Sequence, residues 1–296
     1  MSVCSRREAF SVGLQLPRRV RRAFAGLALV LPVLLLGACS QDQQDAWQRG
    51  AIPEGASDRS DAIITLWQWT WVAALATGVL VWGLIAYAVI KFRRRSDDEI
   101  PVQTRYNLPM EILYTVAPVV MVLVFFNFII QAQDEVQAAP GEPDHTVKVV
   151  GQQWSWTFNY IEDEALDGST TVYEAGTPAD PPTLYLPVNE SVNFELSSPD
   201  VIHSFWVPAF TYKMDVVPGR DNEFTMTPTR EGTYAGKCAE LCGTYHSRML
   251  FDVKVVSAEE YAQQLSELEE QGNVGEALGG SDSVTQDGLD ETGEGE

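Results

Sequence analysis

Histidine and cysteine are scarce in this 296-residue chain, with three of the first and four of the second. None of the histidines (His145, His203 and His246) falls in an apolar run, which excludes haem held between histidines inside a membrane span. Positive charge is also short: 20 lysines and arginines face 41 aspartates and glutamates, for a formal net charge of −21. Binding nucleic acid by counterion release needs clustered lysine and arginine, so nucleic acid is excluded as a partner. So acidic a chain attracts and steers a basic protein instead.

What charge of positive sign there is lies unevenly. Six arginines (Arg6, Arg7, Arg18, Arg19, Arg21 and Arg22) stand in residues 1–38 against one acid, Glu8. RRVRR at 18–22, an apolar run from Ala23 to Leu36 and small residues after it follow the order of a secretory signal. The run is too short to cross a bilayer, which takes about 20 residues. Leu36-Gly37-Ala38-Cys39 resembles a bacterial lipobox, so Cys39 is expected to be the lipidated first residue of the mature chain, with ordinary signal cleavage as the alternative. Cys4 lies in the part removed.

Residues 39–61 read as a polar outer linker. LWQWTWVAALATGVLVWGLIAYAVI, 66–90, is long enough to span, and the first transmembrane helix is assigned to 62–91. Trp67, Trp69 and Trp71 crowd its front end as an interfacial aromatic belt does. KFRRR follows at 91–95, and the positive-inside rule puts the loop 92–108 in the cytoplasm. A second span at 109–131 returns the chain to the outside, where a linker, 132–143, leads onward. The expected location is therefore the cell membrane, crossed twice, with the rest of the chain on the extracytoplasmic face. Glu111 stands at the cytoplasmic start of the second span, where an ionisable group is either functional or a snorkelling carboxylate.

From 144 to 256 helical periodicity gives way to period-2 alternation. In WSWTFNY, Trp154, Trp156, Phe158 and Tyr160 share one face, with Ser155, Thr157 and Asn159 on the other. Val192, Phe194 and Leu196 alternate with polar residues, as do Phe251, Val253 and Val255. Turn signals such as PADPP (178–182) and VVPGRDN (216–222) separate the runs. About 110 residues of short strands imply an antiparallel β-sandwich. Residues 163–183 read as a polar excursion. In the tail, 257–296, AEEYAQQLSELEEQ suggests a short exposed helix, and the acidic, Gly-rich stretch after it has the composition of disorder.

The densest chemistry is in GKCAELCGTYHSRML, 236–250. An exported pair of cysteines ordinarily forms a disulfide. A disulfide, however, needs neither His246 three residues after Cys242 nor Met249 two residues beyond that. Thiolate, imidazole and thioether together are soft ligands, and methionine selects copper over zinc. A mononuclear blue-copper site uses one cysteine and two histidines; here two thiolates can bridge two coppers, and the second copper lacks a histidine. His203, just past an alternating strand, is the candidate, whereas His145 beside the membrane linker reads as solvated. A membrane-tethered copper chaperone and a disulfide-stapled assembly subunit remain as alternatives from the residues alone.

Cys-x-Glu-x-Cys-x3-His-x2-Met, preceded by Asp-Val-x-His-Ser-Phe-Trp-Val-Pro, resembles the binuclear CuA site of the cytochrome c oxidase subunit II family. The resemblance runs from about Ile63 to Val256. It implies a two-helix transmembrane hairpin followed by an all-β cupredoxin domain, a Greek-key sandwich. It implies two copper ions bridged by Cys238 and Cys242, one completed by His246 and Met249, the other by His203 and the carbonyl of Glu240. The Glu240 side chain would also reach a magnesium or manganese ion shared with the catalytic subunit. Trp154 maps to the residue where electrons arrive from cytochrome c, soluble or membrane-bound, and Glu111 to the mouth of a proton pathway. Subunits I and III of the oxidase are the implied partners, and oxygen chemistry belongs to the catalytic one. The chain departs from the family at Ser155, where a tyrosine is usual, and at Asn159, where an acid is usual; both bear on the docking surface.

Overall fold

The computed structural model describes residues 40–96, 98–138 and 141–279, and the signal, with Cys39, lies outside them. Contacts divide the chain after Ala51 into two units. In the first, the expected linker contains a helix, α1 (Gln41–Gln48). Its start is a capping box: Ser40 Oγ accepts from Gln43 N at 3.3 Å, and Gln43 Oε1 accepts from Ser40 N at 3.2 Å. Two otherwise orphaned donors of the first turn are satisfied in this way.

The second unit opens with two long helices, α2 (Ser60–Lys91) and α3 (Leu108–Gln137). Both are apolar on every side, which removes any reason to hide one face and leaves lipid as the matching solvent. At about 1.5 Å per residue each exceeds the roughly 30 Å hydrocarbon core. Leu80, Trp82, Val122 and Phe126 stand more than half exposed along them. Asn107 caps α3, its side chain accepting from Met110 N at 3.4 Å. The helix runs six residues past the expected end of the span, because QAQDEVQ offers no breaker.

That extension has a function in the architecture. Arg59, immediately before α2, sends its guanidinium across to the end of α3, donating to Glu135 O at 2.7 Å and Ala138 O at 2.5 Å. A third bond reaches Thr225 O in the β-domain at 3.3 Å. The side chain is 8% exposed, and hydrogen bonds from a charged donor are each worth roughly 1.5–3 kcal/mol. Around it, Asp58 N donates to Thr227 O and Ala56 N to Ala209 O. The start of the hairpin, its end and the outer domain are thus joined at one residue.

The outer domain is a sandwich of two five-stranded sheets. One has the order β3 (Val172–Ala175), β2 (Ser155–Tyr160), β1 (His145–Gln152), β5 (Val192–Ser197), β8 (Asn222–Met226). The other runs β4 (Thr183–Pro187), β10 (Leu250–Val256), β9 (Gly232–Cys238), β6 (His203–Val207), β7 (Tyr212–Val216). The expectation of a wholly antiparallel fold is corrected at two pairings: β1–β5 and β10–β4 are parallel. Each is reached by a long connection that crosses between the sheets, as in a Greek key. The alternating residues point inward as expected except Trp154, which precedes β2 in a turn and is only half-buried; Phe205 stacks on Phe251 at 5.0 Å while Trp156 meets Phe251 edge-on at 5.4 Å.

Three further expectations are corrected. The excursion 163–183 contributes the edge strand β3. The helix α4 (Ala258–Glu270) is not simply exposed: Tyr261, Leu265 and Leu268 are buried on the domain, at the i, i+4, i+7 spacing of one helical face. His145 is not solvated; its side chain is 7% exposed, with Nδ1 2.9 Å from Asp163 Oδ2 and Nε2 2.6 Å from Glu190 Oε2. Tyr261 Oη donates to the same Asp163 oxygen at 2.7 Å. The histidine begins a strand whose parallel neighbour and overlying helix both arrive from far along the chain.

Candidate metal centre

β9 and β10 are antiparallel neighbours, with Leu250 opposite Lys237. The loop between them is closed at its base, where Cys238 N donates to Met249 O at 3.0 Å. Its first residues are also tied to β6: Phe205 pairs with Cys238, and Ala239 N donates to Ser204 O at 3.0 Å. The same pairing sets His203, the first residue of β6, against a cysteine 35 positions away.

All six expected positions converge. Cys238 Sγ lies 3.9 Å from His203 Nδ1, 3.8 Å from Cys242 Sγ and 3.2 Å from the carbonyl oxygen of Glu240. Cys242 Sγ lies 3.5 Å from His246 Nδ1 and 3.7 Å from Met249 Sδ. The donors fall into two groups, an imidazole and a carbonyl beside the first sulfur, an imidazole and a thioether beside the second. Cys238, Cys242, His203 and Met249 are buried, and His246 is half-buried at the rim.

The sulfurs are free thiols, nearly twice as far apart as the roughly 2.05 Å of a disulfide. Two donors about 2.3 Å from a shared tetrahedral ion stand about 3.8 Å from each other, so the spacing suits a bridging cation. The electrostatics agree. Burial works to raise the Cys238 thiol, but hydrogen bonds from His203 and the Ser204 and Glu240 backbones bring it down to about 7. Burial and the neighbouring Cys238 push Cys242 up to about 12. The pocket accepts one thiolate readily and resists a second; two soft cations would supply the missing positive charge, with release of protons on loading.

Two residues that the sequence did not single out complete the surroundings. Asp200 Oδ1 is 2.9 Å from His203 Nε2, and its other oxygen accepts from Gln153 N at 2.7 Å. A carboxylate on the far nitrogen fixes the imidazole and aims the near one, Nδ1, at the sulfurs. Gln153 Nε2 in turn donates to Cys242 O at 2.6 Å. Trp154 shares that acceptor, its Nε1 donating at 3.1 Å, and its ring meets Tyr245 edge-on at 5.0 Å. Gly243 makes this approach feasible: its φ is +120°, and a Cβ there would crowd Gln153 Nε2 and Trp154 Nε1. The Glu240 side chain points to solvent. Glu111 stands apart at the start of α3, where its carboxylate accepts from Asn107 N at 2.9 Å.

Residues 145–256 match the family model described as cytochrome C oxidase subunit II, periplasmic domain, and residues 45–130 match the one described as its transmembrane domain. The probable cytochrome c oxidase subunit 2 of Streptomyces avermitilis is 46% identical over 293 residues, covering 88% of this chain and 91% of the relative. That of Streptomyces coelicolor is 45% identical with the same coverage. Among solved structures, the periplasmic domain of subunit II of cytochrome oxidase (CoxB) of Bradyrhizobium japonicum aligns at 28% identity with a TM-score of 0.40, over 45% of this chain and 99% of that one.

Proposed function

The chain belongs to the cytochrome c oxidase subunit II family, and we propose that its outer domain holds two copper ions to take electrons from cytochrome c. As subunit II it is part of a haem-copper oxidase, anchored by its hairpin with the metal domain on the outer face. His203, the Glu240 carbonyl, Cys238, Cys242, His246 and Met249 would hold the pair. Bound there, the pair would supply one-electron redox chemistry with little movement of its ligands.

The protein's own residues make that chemistry fast. The β9–β10 clamp and the β6 pairing hold Cys238, and Gln153 and Trp154 hold the Cys242 carbonyl, so the ligand loop has little left to reorganise. Burial of Met249 and His203 keeps water from the inner side. Trp154 touches the Cys242 carbonyl directly and lies half-exposed, which suits it to pass an electron from a docked donor into the ligand loop. The exposed Glu240 carboxylate is free to meet a magnesium or manganese ion at the contact with the catalytic subunit. Glu111 is offered to a proton pathway at the cytoplasmic side. Subunits I and III are the partners proposed for the hairpin.

The observation that carries this reading is the meeting of unlinked sulfurs, imidazoles and a thioether drawn from two distant parts of the chain. Loading the full-length chain with copper in detergent should give two coppers per chain and the purple absorption of a mixed-valence thiolate pair. A single copper, or a colourless zinc protein, would falsify it.

A further inference from the structure

Trp154 sits in a turn before β2, yet its ring is seated by a distant part of the chain. Its Nε1 donates to Cys242 O, 88 positions on, at 3.1 Å. The ring lies so near Gly243 that a Cβ there would stand 3.1 Å from Nε1 and 3.2 Å from Cζ2. On a third side it meets the Tyr245 ring, with 5.0 Å between centroids and 86° between planes. These contacts all come from residues 242–245, inside the loop that carries Cys242 and His246. The neighbouring strand brings no second ring to the surface. Ser155 and Asn159, where the family usually has a tyrosine and an acid, are both buried, and Asn159 Oδ1 accepts from Ala277 N at 2.6 Å in the chain that follows α4.

Tyr245 is itself held. Arg248 N donates to Tyr245 O at 2.8 Å and His246 N to Gly243 O at 3.2 Å, while the Arg248 guanidinium lies over the Tyr245 ring at 5.7 Å. Cation over face and edge against face attract for one reason, the negative face and positive edge of an aromatic ring. Both contacts use the ring and leave the phenol oxygen out. A half-buried tryptophan in a turn has several staggered rotamers open to it. The one seated against 242–245 puts the indole in bonded contact with the ligand loop.

We infer that Tyr245 is the positioning residue for electron entry: its ring closes the seat of Trp154 and ties the indole to the loop that holds Cys242 and His246. This rests on the entry role proposed for Trp154. One electron leaves the reduced haem of the donor and is gained by the oxidised copper pair. Neither ring retains it, so Tyr245 acts through Trp154 and is not a redox group.

The test compares Tyr245→Leu with Tyr245→Phe. Tyr245 is 37% exposed, so neither change empties the core. The first readout is the Trp154 indole proton in the copper-free full chain in detergent, assigned by its absence in Trp154→Phe. In Tyr245→Leu it should exchange with water about two- to tenfold faster, the range an edge-on aromatic contact is worth. In the assembled oxidase, Tyr245→Leu should lower the electron-entry rate at saturating reduced cytochrome c about twofold or more. KM for cytochrome c and the copper absorption should not change. Tyr245→Phe keeps the ring and should match the unsubstituted chain in both readouts. Unchanged exchange and entry rate in Tyr245→Leu would overturn the inference. So would faster exchange with no loss of rate, or a raised KM alone, which would make Tyr245 part of the donor's contact surface. An undiminished entry rate in Trp154→Phe, with full copper absorption, would instead overturn the role of Trp154, so the two failures are separable.

Discussion

At the scale of single residues, the most consequential side chain that touches no proposed copper ligand atom except through an imidazole is Asp200. Its carboxylate holds His203 Nε2 at 2.9 Å and leaves Nδ1 facing Cys238. Asp200→Asn keeps the shape but can present an amide nitrogen to the ring, loosening its aim. Copper affinity, measured by competition with a chelator, should fall about 10- to 100-fold, while the fold is retained; an unchanged affinity would make the contact incidental. The sulfur ligands were legible because their chemistry is packed into a dozen consecutive positions. His203 was legible only through a count of missing ligands. Asp200 heads the Asp-Val-x-His motif, yet its role was not legible, since a surface aspartate three residues from a histidine gains meaning only when the turn between them closes.

Among the elements, α4 and the start of β1 show why an exposed-looking segment can be structural. His145, Asp163, Glu190 and Tyr261 join two strands' ends, a loop and a helix through three hydrogen bonds. Burial opposes charge on His145, but the bonds to Asp163 and Glu190 outweigh it and raise its pKa above the ordinary 6.5. Burial likewise works against the Asp163 carboxylate, and the bonds from His145 and Tyr261 and the backbone of Ala165 overcome it, lowering its pKa. The histidine's contribution is then whole below pH 6.5 and is lost as pH rises through its raised folded value. That of Asp163 is lost only in acid, as pH falls through its lowered one. The thermal midpoint of the full chain should therefore decline from neutral toward alkaline pH more steeply than that of His145→Gln; parallel profiles would sink the idea. Local sequence could not announce this cluster. Asp144-His145-Thr146 is polar by neighbourhood, and its cover comes from Glu190 and Tyr261, 45 and 116 positions on. Alternation in β2 showed which face looks inward, but not that the other face is roofed.

For the molecule as a whole, metal and fold are linked, because the ligands meet only when β6 lies beside β9. An unfolded chain has no such site, so bound copper adds to stability by mass action, by about 4 kcal/mol at a free concentration a thousand times Kd. Removing copper with a thiol-compatible chelator should lower the unfolding midpoint of the intact protein, and adding it back should restore it. Equal midpoints would mean that the loop is held by its strands alone. The overall plan, two spans and an outer β-domain, was the most legible level of all, since it depends on long composition contrasts rather than on single contacts. The joint at Arg59 was not, because its acceptors are backbone carbonyls, which no side-chain pattern marks. Its consequence reaches the rate of respiration: electron tunnelling falls off steeply with separation, and a cupredoxin head free to sway on its stalk would transfer at a fluctuating, mostly slow, rate. One guanidinium gripping both stalk ends and the head restrains that sway.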